Sequence, residues 1–247
     1  MKILALDIEN SYLLSGTWGI WNQNVGLEQL FDNGKVLCYS AKWLGKKDMM
    51  FAKHTEPYFL SSIHALLDEA DAVLTYNGKK HDIPMLNREF IKAGMTPPSP
   101  YKQIDLLETM KKVFKFPSNK LQHVSDELGI GQKLKHEGFE LWVKCLQEDK
   151  AAWATMKKYN MQDVKLLEKL YWKVQPWVGQ HPNHNLYGNT GVCPKCGGKH
   201  LQLRGKYVTQ TGVYSRLHCQ DCGSWSRTRF TEVEKDARTS IYVGAAL

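Results

Sequence analysis

Three short stretches hold residues whose types and spacing could do chemistry. In KILALDIENS, near the start, Asp7 and Glu9 close an apolar run. Alternation along a strand puts both carboxylates on one face and Ile8 on the other. Like charges held that close repel, and burial adds to the cost. A divalent ion with oxygen ligands would remove the repulsion; a strand end open to solvent would need no ion. In YNGKKHDIPML (76–86) a strand ends at Tyr76 and a helix opens near Pro84. Asp82 is there either an N-cap or a carboxylate aimed from the C-terminal side of a strand. In KYNMQDVKLLEKL (158–170), Tyr159 and Asp163 are four apart and share a helix face. Met156, Leu166, Leu167 and Leu170 fall on or near that face, so it points inward. An inward Asp needs a partner, either the Tyr159 hydroxyl or an ion. Four carboxylates from a strand end, a helix start and an inward helix face can meet at one end of a sheet. Two divalent ions roughly 3.5–4 Å apart need about that many, and such sites hydrolyse phosphodiesters.

The cysteines form a second constellation. CPKC (193–196) and CQDC (219–222) are separated by 22 residues, and each is followed by Gly. Two C-x2-C pairs flanking a hairpin pattern (HLQLRGKYV, TQTG, GVYSRLH) read as a zinc ribbon, with one structural Zn2+ on Cys193, Cys196, Cys219 and Cys222. His200 and His218 are alternative ligands, but four thiolates already close a tetrahedral site. A module this small has little core of its own, and structural zinc contributes roughly 10–16 kcal/mol. Cys38 and Cys145 sit among apolar residues and read as core. Tyr207, Tyr214 and Trp225 are interleaved with Arg204, Arg216, Arg227 and Arg229. Aromatics beside arginines suit stacking on single-stranded bases. They equally suit a small core, or docking to a protein.

The elements that must position these groups follow from periodicity. Strands are expected at the start, at Val36–Trp43 and at Ala72–Tyr76, with Ser15–Asn22 pairing with the first strand as a hairpin. Helical spacing fits Pro57–Ala70, Pro84–Ala93, Asp105–Phe114, Gln122–Leu128 and Ala151–Val174. Pro176 ends the long helix, and QPWVGQHPNHNLYGNTG is a linker by composition. The expected domains are 1–175, a linker over 176–190, and a cysteine module with tail over 191–247. Net charge is +8. Residues 1–175 hold 24 basic and 21 acidic groups, and residues 176–247 hold 9 and 4. Five of the six arginines lie in the second part, which favours a polyanionic partner there. No stretch approaches membrane-spanning length and no signal peptide opens the chain, so no membrane contact and a cytoplasmic protein are expected.

D-I-E, then Y-N-x3-H-D-x-P-M-L, then Y-x3-D together resemble the three motifs of DEDDy 3′–5′ exonucleases. The second motif is most similar to the proofreading domains of family-B DNA polymerases and their stand-alone relatives, which carry N-x3-F-D-x-P. The resemblance covers roughly residues 1–175. It implies an RNase H-like mixed β-sheet flanked by helices, with the zinc-ribbon hairpin module appended. The histidine subclass would need His five before the last Asp, where Lys158 stands. The resemblance further implies two Mg2+ or Mn2+ ions, Asp7 bridging both, Glu9 and Asp163 on one and Asp82 on the other. Tyr159 would position or deprotonate the attacking water. Asn10 stands where the family has Thr, and His81 replaces an aromatic wedge. With Asn77, and with Lys120 at the start of KLQHVSDELGI (120–130), these are the expected substrate contacts. That last segment also fits an ordinary surface helix. The implied function is 3′–5′ exonuclease action on nucleic acid, with single-stranded or frayed DNA favoured over RNA. An RNA exonuclease, or a non-catalytic nucleic-acid-binding protein on the same fold, are the alternatives. No polymerase palm or fingers region fits the remaining residues, so proofreading would mean docking to a polymerase in trans.

Overall fold

A computed structural model describes residues 1–245; the last two residues of the expected 191–247 module lie outside the described residues. The chain divides into two compact units, Lys2–Trp172 and a second from Lys173 onward.

The first unit is built on β1 (Ile3–Asn10), whose run ILALDI is the middle strand of a five-stranded sheet. On one side β1 pairs antiparallel with β4 (Val36–Trp43), which pairs antiparallel with β5 (Met50–Lys53). On the other it runs parallel to β6 (Ala72–Thr75), and β6 parallel to β7 (Lys102–Asp105). The sheet is therefore mixed. Leu4, Leu6 and Ile8 face α1 (Phe59–Glu69) and α2 (Asp82–Lys92), burying Phe59, Ile63, Leu67, Ile83, Leu86 and Phe90. Each such side chain removed from water contributes about 1.5–3 kcal/mol. The opposite face packs Leu37 and Cys38 on α5 (Phe139–Leu146) and α6 (Lys150–Val174), with Leu141, Cys145, Trp153 and Met156. Between them lie α3 (Leu106–Val113) and α4 (Leu121–Glu127).

The ladder between β1 and β4 slips by one residue, Glu9 pairing with Cys38 and Asn10 with Val36. This bulge lets the consecutive Leu37 and Cys38 both enter the α5–α6 core. Beyond it the chain leaves the sheet. Ser15–Asn22 does not pair with β1, contrary to the expectation from its composition. Both edges of β1 are already taken by β4 and β6, so Leu14–Ser15 (β2) pairs instead with Leu30–Asp32 (β3) in a separate ribbon. Trp18, Ile20 and Trp21 stand exposed at its far end. The excursion closes at a neck, where the Ser11 amide donates to the Lys35 carbonyl and the Lys35 amide to Ser11 Oγ, each at 2.8 Å.

The second unit is a three-stranded antiparallel sheet in the order β10 (Trp225–Arg227), β9 (Val213–Cys219), β8 (Leu201–Val208), followed by a short α7 (Lys235–Arg238). Its buried apolar side chains are few: Val174, Val178 and Val192 stand beside Cys193 and Cys219. The segment that reads as a linker is tied into this unit by its asparagines and backbone. The Asn185 carboxamide exchanges two hydrogen bonds with Val192, at 2.9 and 3.0 Å, and the His184 amide donates to the Pro194 carbonyl. Among the described residues no helix is long and apolar enough to cross a membrane.

Candidate active site

Asp7 and Glu9 lie on the α5–α6 face of β1, as strand alternation requires, and α6 supplies their neighbours. Met156, Asn160, Asp163, Leu167 and Leu170 form one buried stripe along α6, with two polar positions set into an apolar line. Ligand oxygens of Asp7, Glu9 and Asp163 all lie within 4.8 Å of one another. Asp82 stands outside that trio. It occupies the first turn of α2 rather than the cap, and its Oδ1 accepts the Ile8 amide at 3.2 Å, which ties α2 to β1 between Asp7 and Glu9. The turn before it is tight: a Cβ on Gly78 would fall 2.4 Å from the Thr75 side chain.

The four carboxylates are held against their own charge. Burial, then Asp82, Glu9 and Asp163, push the Asp7 carboxyl well above its ordinary range. Burial and the Asp163 charge raise Glu9 to about 8. Asp82 is raised to about 7 by burial, against the pull of the Ile8 amide. Asp163 is raised by burial although Lys133 and Tyr159 oppose the shift. Asp163 Oδ1 is buried and has no hydrogen-bond partner. An acceptor without a donor among mutually repelling carboxylates fits divalent cations.

Two neighbours escaped the sequence reading. Asn160 donates its Nδ2 to Asp7 Oδ2 at 2.6 Å and fixes one carboxylate oxygen. Its signal was its place on the Met156–Leu170 stripe, next to Tyr159. Lys133, in the loop between α4 and α5, pairs with Asp163 and donates to the Tyr159 hydroxyl at 3.3 Å. Burial disfavours the ammonium, but Asp163, Tyr159 and Asp7 outweigh it and raise the Lys133 pKa. No local spacing pointed to it, because it reaches the site from a loop 30 residues before Asp163. The Tyr159 ring packs edge-on to His136 and Trp142, with centroids 4.7 and 6.2 Å away. Burial, Asp163 and Glu9 push its hydroxyl up to about 12, so it keeps its proton at neutral pH.

Of the expected substrate contacts, Asn10 and His81 meet, Nδ2 to Nε2 at 2.8 Å. Asn77 has a left-handed backbone (φ 70°), and its amide donates to Asp105 Oδ1 at 2.8 Å. Asp105 also accepts the amides of Lys79 and Leu107, and so is a structural carboxylate. Lys120 is exposed at the cap of α4. Among the described residues, no hydrogen bond joins Asn77 or Lys120 to the four carboxylates.

In the second unit the four sulfurs of Cys193, Cys196, Cys219 and Cys222 also lie within 4.8 Å of one another, and none is in a disulfide. Cys193 and Cys222 are 3.7 Å apart, as are Cys196 and Cys219. A tetrahedron with metal–sulfur bonds of about 2.3 Å has edges of roughly 3.8 Å, so the cluster is compatible with a metal-bound ribbon. Burial raises the Cys193 thiol, but Ser224 and the amides of Cys196 and Lys195 outweigh it and bring it to about 7. His200 is turned away onto Asp221, 2.6 Å from Nδ1, and His218 Nδ1 lies 2.9 Å from Gln220 Nε2. The cysteines therefore form the ligand group without them.

A mixed five-stranded sheet, helices on both faces and acidic residues gathered on its middle strand define an RNase H-like fold. The RNase_H superfamily model (RNase_H_2) matches residues 38–175, and the chain belongs to that superfamily. The match takes in Asp82, Tyr159 and Asp163 and begins after Asp7 and Glu9. Among solved structures, the family B DNA polymerase of the hyperthermophilic archaeon Pyrobaculum calidifontis superposes with a TM-score of 0.55 at 16% identity. The superposition covers 71% of this chain and 24% of the polymerase. A search of curated proteins by sequence finds no match. Superfamily membership supports a nuclease-type function and contact with nucleic acid.

Proposed function

We propose that the protein is a metal-dependent 3′–5′ exonuclease of the tyrosine subclass, acting on single-stranded or frayed DNA. Lys2–Trp172 would be the catalytic unit and the cysteine unit a zinc ribbon. The observation that carries the reading is the meeting of Asp7, Glu9 and Asp163 oxygens beside the Tyr159 hydroxyl, with Asp82 reaching the same strand. Asp7, Glu9, Asp163 and Asp82 would hold two Mg2+ or Mn2+, and the four cysteines one Zn2+. Bound there, the divalent pair supplies positive charge where the attacking and leaving oxygens of a phosphodiester develop theirs.

The remaining work falls to the chain itself. Asn160 keeps Asp7 in one orientation, and Asp82 is aligned by the Ile8 amide. Tyr159, with its proton retained, orients the attacking water by hydrogen bonding instead of abstracting a proton. His136 and Trp142 hold the tyrosine ring. The Asn10–His81 pair offers a polar contact to the terminal nucleotide. The test is incubation with Mg2+ or Mn2+ and 5′-labelled single-stranded DNA, mismatched duplex or RNA. Shortening from the 3′ end, fastest on single-stranded or mismatched DNA, is the expected result. Faster loss of RNA would move the substrate to RNA. Binding without shortening of any strand would overturn the enzyme reading.

A further inference from the structure

We propose that one face of the β8–β9–β10 sheet is a stacking platform for single-stranded nucleic acid. Strand register defines the face. Tyr207 is paired with Tyr214, Arg216 with Arg227, and His218 with Trp225. Directly paired residues in an antiparallel sheet point the same way, and alternate residues of one strand share a face. Tyr214, Arg216 and His218 alternate along β9, so all six side chains project from one side. Leu203 and Leu217 pair on the opposite side.

The six are arranged in layers. The Arg227 guanidinium lies 3.9 Å from the Tyr214 ring centroid and 5.8 Å from that of Tyr207. Arg216 lies 5.0 Å from the Trp225 ring, and His218 is 4.5 Å from that ring on a tilted plane. These contacts orient planar cations and rings without hiding them. Tyr207 keeps 48% of its surface exposed and Trp225 keeps 50%. No Asp or Glu occurs in β8, β9 or β10. Two of the acidic side chains in this unit have other partners: Glu232 with Lys206 and Ser215, Asp221 with His200.

Exposed rings select planar ligands, and unneutralised guanidiniums select phosphates. A strand with unpaired bases offers both at the spacing of successive nucleotides, whereas a duplex hides its base faces. An acidic protein would satisfy the arginines and leave the rings without stacking partners. The proposal does not rest on the nuclease reading, because it is read by binding alone.

The experiment uses the full metal-loaded chain carrying Asp7→Asn, which keeps the probe intact, and fluorescence anisotropy with labelled oligothymidylate of about 20 nucleotides. A matched abasic strand serves as the comparison probe. Trp225→Ala and Tyr207→Ala should each weaken oligothymidylate binding by about 5–150-fold, the usual range for removing one stacked ring, and leave the abasic strand unaffected. The double variant Arg216→Gln, Arg227→Gln, which removes no cysteine, should weaken both probes. It should also flatten the slope of log affinity against log salt by about 0.7 for each phosphate that is no longer neutralised. Metal content and thermal melts establish that each variant keeps its fold. Parent affinity and slope in folded variants would overturn the proposal and leave the face to an acidic protein. Equal weakening of both probes after Trp225→Ala would overturn stacking.

Discussion

The carboxylate group and the cysteine group both gather side chains that could hold a metal, but they stand in opposite relations to the folds around them. The carboxylates sit on the middle strand of a sheet already secured by Leu4, Leu6, Ile63, Leu67 and Leu86. That core is strong enough to hold four acids together against burial and mutual repulsion. The cysteines sit where a core is nearly missing, with Val178 and Val192 as meagre company. In the first unit the fold holds the ligands and any bound ion answers the strain. In the second, on the proposed zinc reading, the ligands hold the fold.

The comparison is broken most severely by removing metal. If the cysteines hold zinc as proposed, a strong chelator should unfold the sheet of the second unit, withdrawing roughly 10–16 kcal/mol of binding energy, while the first unit stays folded. Limited proteolysis should then cut between Lys195 and Arg229 and spare 2–172. Survival of both units would show that the ribbon carries more core than its buried valines indicate. Next in size is Asp7→Asn. Loss of a ligand worth several kcal/mol should cut cleavage by about 10³-fold or more, and the chelated protein should melt higher because a buried carboxyl that is costly to ionise is replaced by a neutral amide. Retained cleavage in a clean preparation would remove Asp7 from the site. Tyr159→Phe should lower kcat by about 10²-fold with little change in melting temperature. A large melting shift with normal cleavage would make this hydroxyl structural.

The smallest effect is a difference in sign. Glu9 has its pKa raised from 4.5 to about 8 and Asp82 from 3.8 to about 7. Their stabilising contribution is complete below the unfolded values and is lost as pH rises through the folded ones. The chelated first unit should therefore melt progressively lower between about pH 3.8 and 8, and saturating Mg2+ should flatten the decline. In the second unit, burial lowers the His181 imidazole from 6.5 to about 4. Its contribution is present above 6.5 and is lost as pH falls through 4, so the metal-loaded second unit should gain stability as pH rises over that range. Parallel responses in the two units would undo the contrast.

The sequence disclosed what short-range geometry governs. Alternation in D-I-E, the four-residue spacing of Tyr159 and Asp163 and the paired C-x2-C each gave side chains that the structure gathers. Most helices were readable from apolar spacing, although α5 and the short α7 were missed. Short strands were harder: β5 (MFAK) and β7 (KQID) offer four residues each, and Lys102 and Gln103 are exposed at the sheet edge. Lys133 was invisible because a lysine in a glycine-bearing loop carries no period, and only the tertiary fold brings it to Asp163. The β1–β4 bulge left no mark, since two consecutive apolar residues, Leu37 and Cys38, look alike whether or not the ladder slips. Ser15–Asn22 misled through its tryptophan and isoleucine, which the fold leaves exposed.

The neck at Ser11 and Lys35 gives the molecule a place to change length. Two backbone amides close the ladder there, and neither lies within the excursion they bracket. Doubling the enclosed segment would cost only about 0.6 kcal/mol of closure entropy, and a short turn in its place would leave the five strands untouched. Evolution or a designer can thus rewrite this segment, tryptophans included, three residues from Glu9 without redrawing the sheet that carries it.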